Sequence, residues 1–287
     1  MTERLYRSVD APQAEVSSLL RVTREEVGWD LIDFQVWRIP KGLGLHSSTR
    51  QLEVCLVLLK GQCRIRWQGG SEHLLGPRPD VFSAYPSAVY LPPDTDFVVS
   101  ADETTELADG RVMSEGGYPA RVVAPHECGF EIRGGGNATR QIIDVMPPEF
   151  PADRILVCEV LTPAGSWSSY PPHKHDVDNP PAEVDLDEIY YYRFEAPEAY
   201  GFQRLYTADG RVDETHLVRH GDLLPIREGY HPFVTAHGYN AYYLNVLAGS
   251  RRSMAATDDP GYAHFRSWPP PDPRMPLIQR PEAPRGS

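Results

Sequence analysis

The sequence predicts an all-β protein made of two tandem antiparallel β-barrels. Three observations carry this. Short apolar or alternating runs rich in Val, Ile, Tyr and Phe recur along the chain, clusters of Pro, Gly, Asp and Asn separate them, and one block of runs parallels a later one. A period of two with regular turn signals marks sandwiches and barrels rather than alternating strand and helix. A length of 287 residues suits one large domain or two ordinary ones, and either could bury a full core.

In order along the chain, DAPQAEVSSLLRVTREE reads as a few turns of helix and is the one fair helical candidate. The 28 prolines break most others. LIDFQVWRI, LEVCLVLLKG, CRIRWQ, AVYLPP and DFVVSA supply strands of the first barrel; RILVCEVL, EIYYYRF, FQRLYT and YYLNVLAG supply strands of the second. LEVCLVLLKGQCRI followed by VYLPPDTDFVVSA runs parallel to DEIYYYRFEAPEAYGFQRL followed by LLPIREGYHPFVTA, as an internal duplication would. The join falls in GGGNATRQIIDVMPPEFPAD, residues 134–153, where a glycine run meets a proline pair. The expected domains are therefore 1–140 and 141–287. The second ends in RSWPPPDPRMPLIQRPEAPRGS, an extended arm that would pack on a neighbour in a homo-oligomer or stay mobile.

Composition excludes several partners. A net charge of −12 without a basic face argues against nucleic acid, so an anionic substrate would need its own local arginines. Cys55, Cys63, Cys128 and Cys158 show no CxxC spacing and lie mostly in apolar runs, as buried thiols of a reducing compartment do. No basic region precedes an apolar stretch at the start, and no run reaches the ~20 apolar residues of a membrane span. The expectation is a cytoplasmic protein with no membrane partner.

The segment GSWSSYPPHKHDVDNPPAEVDLDEIYYYRF carries the chemistry. On a strand, His173 and His175 leave the same face and enter one space, although such a pair on a loop can simply be solvated. Glu188 opens the next strong strand, and His231 follows the glycine turn of GDLLPIREGYHPF. Antiparallel strands could bring these three imidazoles and one carboxylate to one level. Asp187 is the rival carboxylate, but one step along a strand reverses the face.

These residues are similar to the cupin pattern, HxH followed by Glu with a distant His after a turn. Two departures stand out: Glu188 lies thirteen residues after His175, and Arg227 and Glu228 lengthen the step from Pro225 to Gly229. The phrases QLEVCLVLL, GGYPARVV, RGGGNATRQI, GSWSSYPPHKHD, DEIYYYRF, GYHPF, YYLNVLAG and DPRMPL further resemble the 5-deoxy-glucuronate isomerase family of myo-inositol catabolism, over nearly the whole chain. The resemblance implies a bicupin converting 5-deoxy-D-glucuronate to 2-deoxy-5-keto-D-gluconate. The first half offers a single His46, Asp96 in the histidine slot and Glu53 beside its strand, so only the second barrel is expected to bind metal.

Interconverting an aldose and a ketose through an enediol needs a base near carbon and an electrophile on the oxygens. A divalent ion on His173, His175, Glu188 and His231 can serve as Lewis acid; no net redox change is required, so zinc is favoured, with manganese, iron or nickel also suited to these ligands. Tyr190 and Tyr192 share the face of Glu188 and are the candidate proton carriers, although a YYY run also reads as core with its hydroxyls satisfied. Arg140 and Arg204 are candidates for the substrate carboxylate, with Gln203 as a hydrogen-bonding neighbour. Rival readings are a uronate ketol-isomerase of pectin breakdown, an iron-dependent cupin dioxygenase and a sugar-binding cupin.

Overall fold

The computed structural model describes residues 5–284, which pack as two compact units of almost pure β-structure. The first holds residues 8–128, 145–155 and 278–284; the second holds 5–7, 129–144 and 156–277. A cut at 140/141 would sever Arg140 from the strand Arg140–Met146 that it opens. Backbone pairing explains the difference. Arg140–Met146 pairs with Glu131–Arg133, so the glycine run Gly134–Gly136 is the turn of a hairpin in the sheet of the second unit, not a linker.

In the first unit, Leu52–Trp67 is one continuous strand of 16 residues where the sequence suggests two strands about a turn. Its first part pairs with Thr105–Met113 and Ala88–Leu91, its second with His73–Arg78 and Asp96–Ala101. The register slips between Gly61 and Cys63. Gly61 has φ 94°, and a Cβ there would strike the backbone of Thr104, so this bulge belongs to glycine. The expected N-terminal helix is mostly a strand. Ser17–Val22 pairs with Ile32–Ile39 and buries Leu20 and Val22, an alternation that a helix could not bury on one sheet. Only Arg24–Val27 is helical, a single turn closed by a Thr23/Glu26 capping box.

The second unit has a six-stranded sheet, ordered Glu131–Arg133, Arg140–Met146, Leu156–Thr162, Ala241–Gly249, Leu186–Phe194 and Leu223–Ile226. A four-stranded sheet contains Trp167–Ser168, Phe233–Thr235, Tyr200–Tyr206 and Asp213–Arg219. Ile142, Val160, Tyr192 and Tyr243 from the first sheet share one core with Leu205, Val218 and Phe233 from the second, so the two sheets pack face to face. The C-terminal arm packs on its own chain rather than standing free. Gly136 donates to Pro270, Asp272 N–H to Thr139, and the Arg274 guanidinium to Ala164. A Cβ on Gly135 would collide with Pro269, which makes the glycine run the seat of the arm.

All four cysteines are buried free thiols. No helix among the described residues is long and apolar enough to cross a membrane.

Candidate metal centre

His173 lies on a two-residue strand, His173–Lys174, and His175 follows it directly. The ten-residue excursion before Leu186 is held by ion pairs. Lys174 Nζ donates to Asp176 at 2.5 Å and to Glu183 at 2.8 Å, while Glu183 also accepts from the backbone of Asp176 and Val177. Asp176 Oδ2 accepts from Gly229 N–H at 2.7 Å, fastening the histidine pair to the turn that carries His231. Gly229 sits at φ 83° with the Tyr206 carbonyl against its Cα, which leaves no room for a side chain.

These constraints bring His175, Glu188 and His231 together: one ligand atom from each lies within 4.8 Å of the others, and all three are buried. Glu188 faces inward with Tyr190 and Tyr192, as the strand register requires, and Asp187 faces away from that side. His173 stands at the cavity wall, half buried, its ring 4.8 Å from that of His231 and 6.5 Å from that of His175.

The three imidazoles are oriented in the same way. Each turns Nδ1 to a backbone carbonyl, His173 to Pro171 at 3.1 Å, His175 to Leu186 at 3.0 Å and His231 to Gly229 at 3.0 Å. Nδ1 must then carry the proton, and Nε2 of each neutral ring presents a lone pair. His175 Nε2 lies 2.9 Å and His231 Nε2 3.4 Å from Glu188 Oε2, and His231 Nε2 is buried with no hydrogen-bond partner. At His231 a lone pair facing the carboxylate is a repulsive arrangement that a cation relieves, whereas His175 Nε2 is within hydrogen-bond reach of Glu188. The donor set of two or three imidazoles and one carboxylate therefore fits a divalent ion.

The electrostatics agree. Burial, then the neighbouring His175, holds His173 down to about 3, and burial with His173 beside it does the same to His231. For His175 burial also opposes the charge, but the hydrogen bond and charge of Glu188 outweigh it and raise the pKa. At neutral pH two of the rings are thus uncharged and ready to ligate.

The site opens into a cavity of about 400 Å³. Arg140 lines it almost fully buried, donating to the carbonyls of Ala138 and Tyr170, with no carboxylate partner among the described residues. Burial lowers its pKa to about 10, so the guanidinium stays charged. Two further arginines reach the same wall. Arg133 is held by Glu131 at 2.6 Å and Arg266 by Asp258.

The other candidates from the sequence lie elsewhere. Arg204 is exposed on the four-stranded sheet, paired with Asp213 at 2.9 Å and stacked over Tyr206, a surface ion pair and not part of the cavity wall. Gln203 is fully buried, accepts from the Tyr192 hydroxyl and donates to the His231 carbonyl, so it steadies the metal centre from behind. Tyr190 and Tyr192 lie in the core with occupied hydroxyls, Tyr190 on Ser169 at 2.8 Å and Tyr192 on Gln203 at 2.9 Å. Burial, first of all, pushes both phenols well above their ordinary pKa. They form the floor beneath His231 rather than the cavity wall.

Sequence reasoning missed Glu131, Arg133 and Arg266 on that wall. Glu131 and Arg133 stand just before the glycine run, where the sequence suggests a join between domains and the structure has the hairpin that brings them beside Arg140.

Comparison with known proteins agrees with this geometry. Residues 5–265 match the family model described as KduI/IolB family. The 5-deoxy-glucuronate isomerase of Geobacillus kaustophilus is 43% identical over 249 residues, 86% of this chain and 90% of that protein. The one from Bacillus subtilis strain 168 is 33% identical over 84% of this chain and 90% of its own length. Among solved structures, an IolB-like protein from Salmonella typhimurium superposes with a TM-score of 0.86 at 34% identity, covering 91% of this chain and 98% of that one. Oxalate decarboxylase from Bacillus subtilis gives a TM-score of 0.61 at 13% identity over 90% of this chain and 79% of its own, a likeness of fold alone. The fold is accordingly the bicupin expected from the sequence, and the chain belongs to the KduI/IolB family.

Proposed function

We propose that the chain is a 5-deoxy-glucuronate isomerase, converting 5-deoxy-D-glucuronate to 2-deoxy-5-keto-D-gluconate in myo-inositol catabolism. The observation that carries the reading is one cavity lined by His173, His175 and Glu188, with His231 and its orphaned Nε2 clustered against the last two, and by a buried, carboxylate-free Arg140. The relatives named above carry the same activity in their names. A cavity of this size suits a small sugar acid.

His173, His175, Glu188 and His231 would hold one divalent ion, zinc favoured, which supplies Lewis acidity toward the sugar carbonyl and the adjacent hydroxyl. Arg140 takes the substrate carboxylate, its guanidinium already positioned by two backbone carbonyls. Arg133 and Arg266 add positive charge beside it. The proton moves between adjacent carbons; besides Glu188 the wall offers the carboxylate of Glu131, held by Arg133 through two hydrogen bonds, and the transfer is assigned to it. Tyr190 and Tyr192 act by packing beneath the ligands.

An anaerobic assay on 5-deoxy-D-glucuronate, with metal analysis of the same sample, tests the reading. Ketose formation without oxygen uptake and one divalent ion per chain are expected. Turnover that depends on oxygen, or full activity after complete metal removal, would overturn it.

A further inference from the structure

The first unit holds a cleft of its own, about 870 Å³, on the inward face of its main sheet. Toward the core, that face is apolar, with Val54, Leu56 and Leu107. At the mouth it turns polar. Asp109 is fully buried yet ionisable, gripped by Arg111 through two hydrogen bonds of 2.8 Å and by the Trp37 indole N–H at 3.0 Å. Arg111 donates onward to Ser48 and Ser47. A charged network of this kind holds its shape before any ligand arrives.

What the network leaves over points to a ligand. Four arginines line the cleft. Arg24 is paired with Asp33 and Arg111 with Asp109, whereas the guanidinium groups of Arg21 and Arg50 have no partner among the described residues. The side-chain amides of Gln35 and Gln51 are unpartnered in the same way. Arg50 adopts φ 51°, a left-handed conformation that a residue with a Cβ keeps where the surroundings impose it. Its carbonyl is held by Asp94 N–H and its own N–H by Ser48. Glu25 also lines the cleft, so four arginines face the three carboxylates of Glu25, Asp33 and Asp109, which leaves a small positive excess in a chain of net charge −12.

We propose that this cleft is a second binding site, for a small hydroxylated carboxylate of the sugar-acid class. Arg21 and Arg50 take the carboxylate, and Gln35 and Gln51 take hydroxyls. The site is separate from the metal centre in both residues and chemistry; the function proposed above guides only the choice of probe.

The test is equilibrium dialysis of the metal-loaded protein with labelled D-glucuronate at concentrations up to about 1 mM, a range typical of metabolite affinities. Three proteins are compared: the unaltered chain, the double variant Arg21→Met/Arg50→Met, and Arg140→Met. Both arginines of the double variant are exposed, so folding is not at stake. Two sites per chain are expected, one weakened roughly tenfold or more by the double variant while kcat and KM hold, the other weakened only by Arg140→Met. D-glucose, which lacks the carboxylate, should not compete at the first unit. One site per chain that the double variant leaves untouched would overturn the proposal, as would no binding at all. If the metal centre does not bind D-glucuronate, a single site abolished by the double variant still supports the second site while counting against the function proposed for the first.

Discussion

Two glutamates at corresponding places in the duplicated sequence, Glu53 in LEVCLVLL and Glu188 in DEIYYYRF, have opposite fates. Glu188 points into the core side of its sheet, among histidines. Glu53 points to the other face. Its neighbour Val54 takes the inward position, and the Glu53 carboxylate accepts backbone N–H bonds from Asp153, Arg154 and Ile155 at 2.6 to 2.9 Å and the Tyr90 hydroxyl at 3.0 Å. His46 and Asp96 of the same unit are exposed. The difference is one step of strand register, and it turns a candidate ligand into a clamp on an extended segment of backbone. A carboxylate becomes a metal ligand only where its lone pairs are not already spoken for by donors.

The sharpest way to break this comparison is to neutralise each glutamate in turn. Glu188→Gln should lose the metal and lower kcat/KM by roughly a thousandfold, as should His231→Ala. Glu53→Gln should keep both metal and kcat while losing about 2 to 4 kcal/mol of stability, because an amide cannot accept all four bonds and buries an unmatched NH2. Metal loss in Glu53→Gln, measured by elemental analysis, would show that the two glutamates have been assigned to the wrong faces.

Next in size is the carboxylate anchor. Arg140→Met should raise KM and reduce kcat/KM for the uronate about a hundredfold, with a much smaller loss on a neutral aldose analogue. Arg204→Met, which breaks only an exposed ion pair, should stay within about twofold on both substrates. Equal losses for Arg140→Met on charged and neutral substrates would remove it from substrate recognition.

Asp176 sharpens the comparison further, since its bond to Gly229 N–H ties the histidine pair to the turn that carries His231. Asp176→Asn should weaken metal affinity 10- to 100-fold without abolishing it, read by competition with a chromophoric chelator. Unchanged affinity would mean that the Lys174–Asp176–Glu183 ion pairs serve the loop alone.

A smaller effect is expected from acid. His231 is fully buried with its pKa held down to about 3, so in metal-free protein the native ring stays neutral while the unfolded ring takes a proton below its ordinary 6.5. The unfolded state then binds more protons, and the stability this ring contributes is complete above 6.5 and is lost as pH falls toward 3. The raised pKa of His175 works in the opposite direction over its own range. The Tm of the metal-free protein should therefore fall less steeply with acidification in His231→Asn than in the unaltered chain; identical slopes would contradict the assignment.

The smallest effect should come from the tyrosine floor. Tyr192→Phe removes one buried hydrogen bond to Gln203 and should cost about 1 kcal/mol of stability with kcat nearly unchanged. A large fall in kcat at constant stability would return Tyr192 to the proton-transfer step.

The all-β class, most of the strands and the meeting of His175, Glu188 and His231 were legible because they rest on local rules. Period-two alternation states which residues share a face, and turn residues state where strands end. The register that turns Glu188 inward with Tyr190 follows from the same parity. Long-range pairing decided the rest. The segment Ser17–Val22 became a strand because the edge of Ile32–Ile39 offered it backbone partners, against its local helical reading. The glycine run at 134–136 became a hairpin turn because Glu131–Arg133 and Arg140–Met146 pair, which carried Glu131 and Arg133 to the cavity; Arg204 stays outside it on the four-stranded sheet. Whether an arginine meets substrate or solvent, and whether a tyrosine hydroxyl is free or engaged, depends on neighbours tens of residues away. Only the folded chain brings those neighbours together, because hydrogen-bond satisfaction and burial belong to the assembled core and not to any one segment.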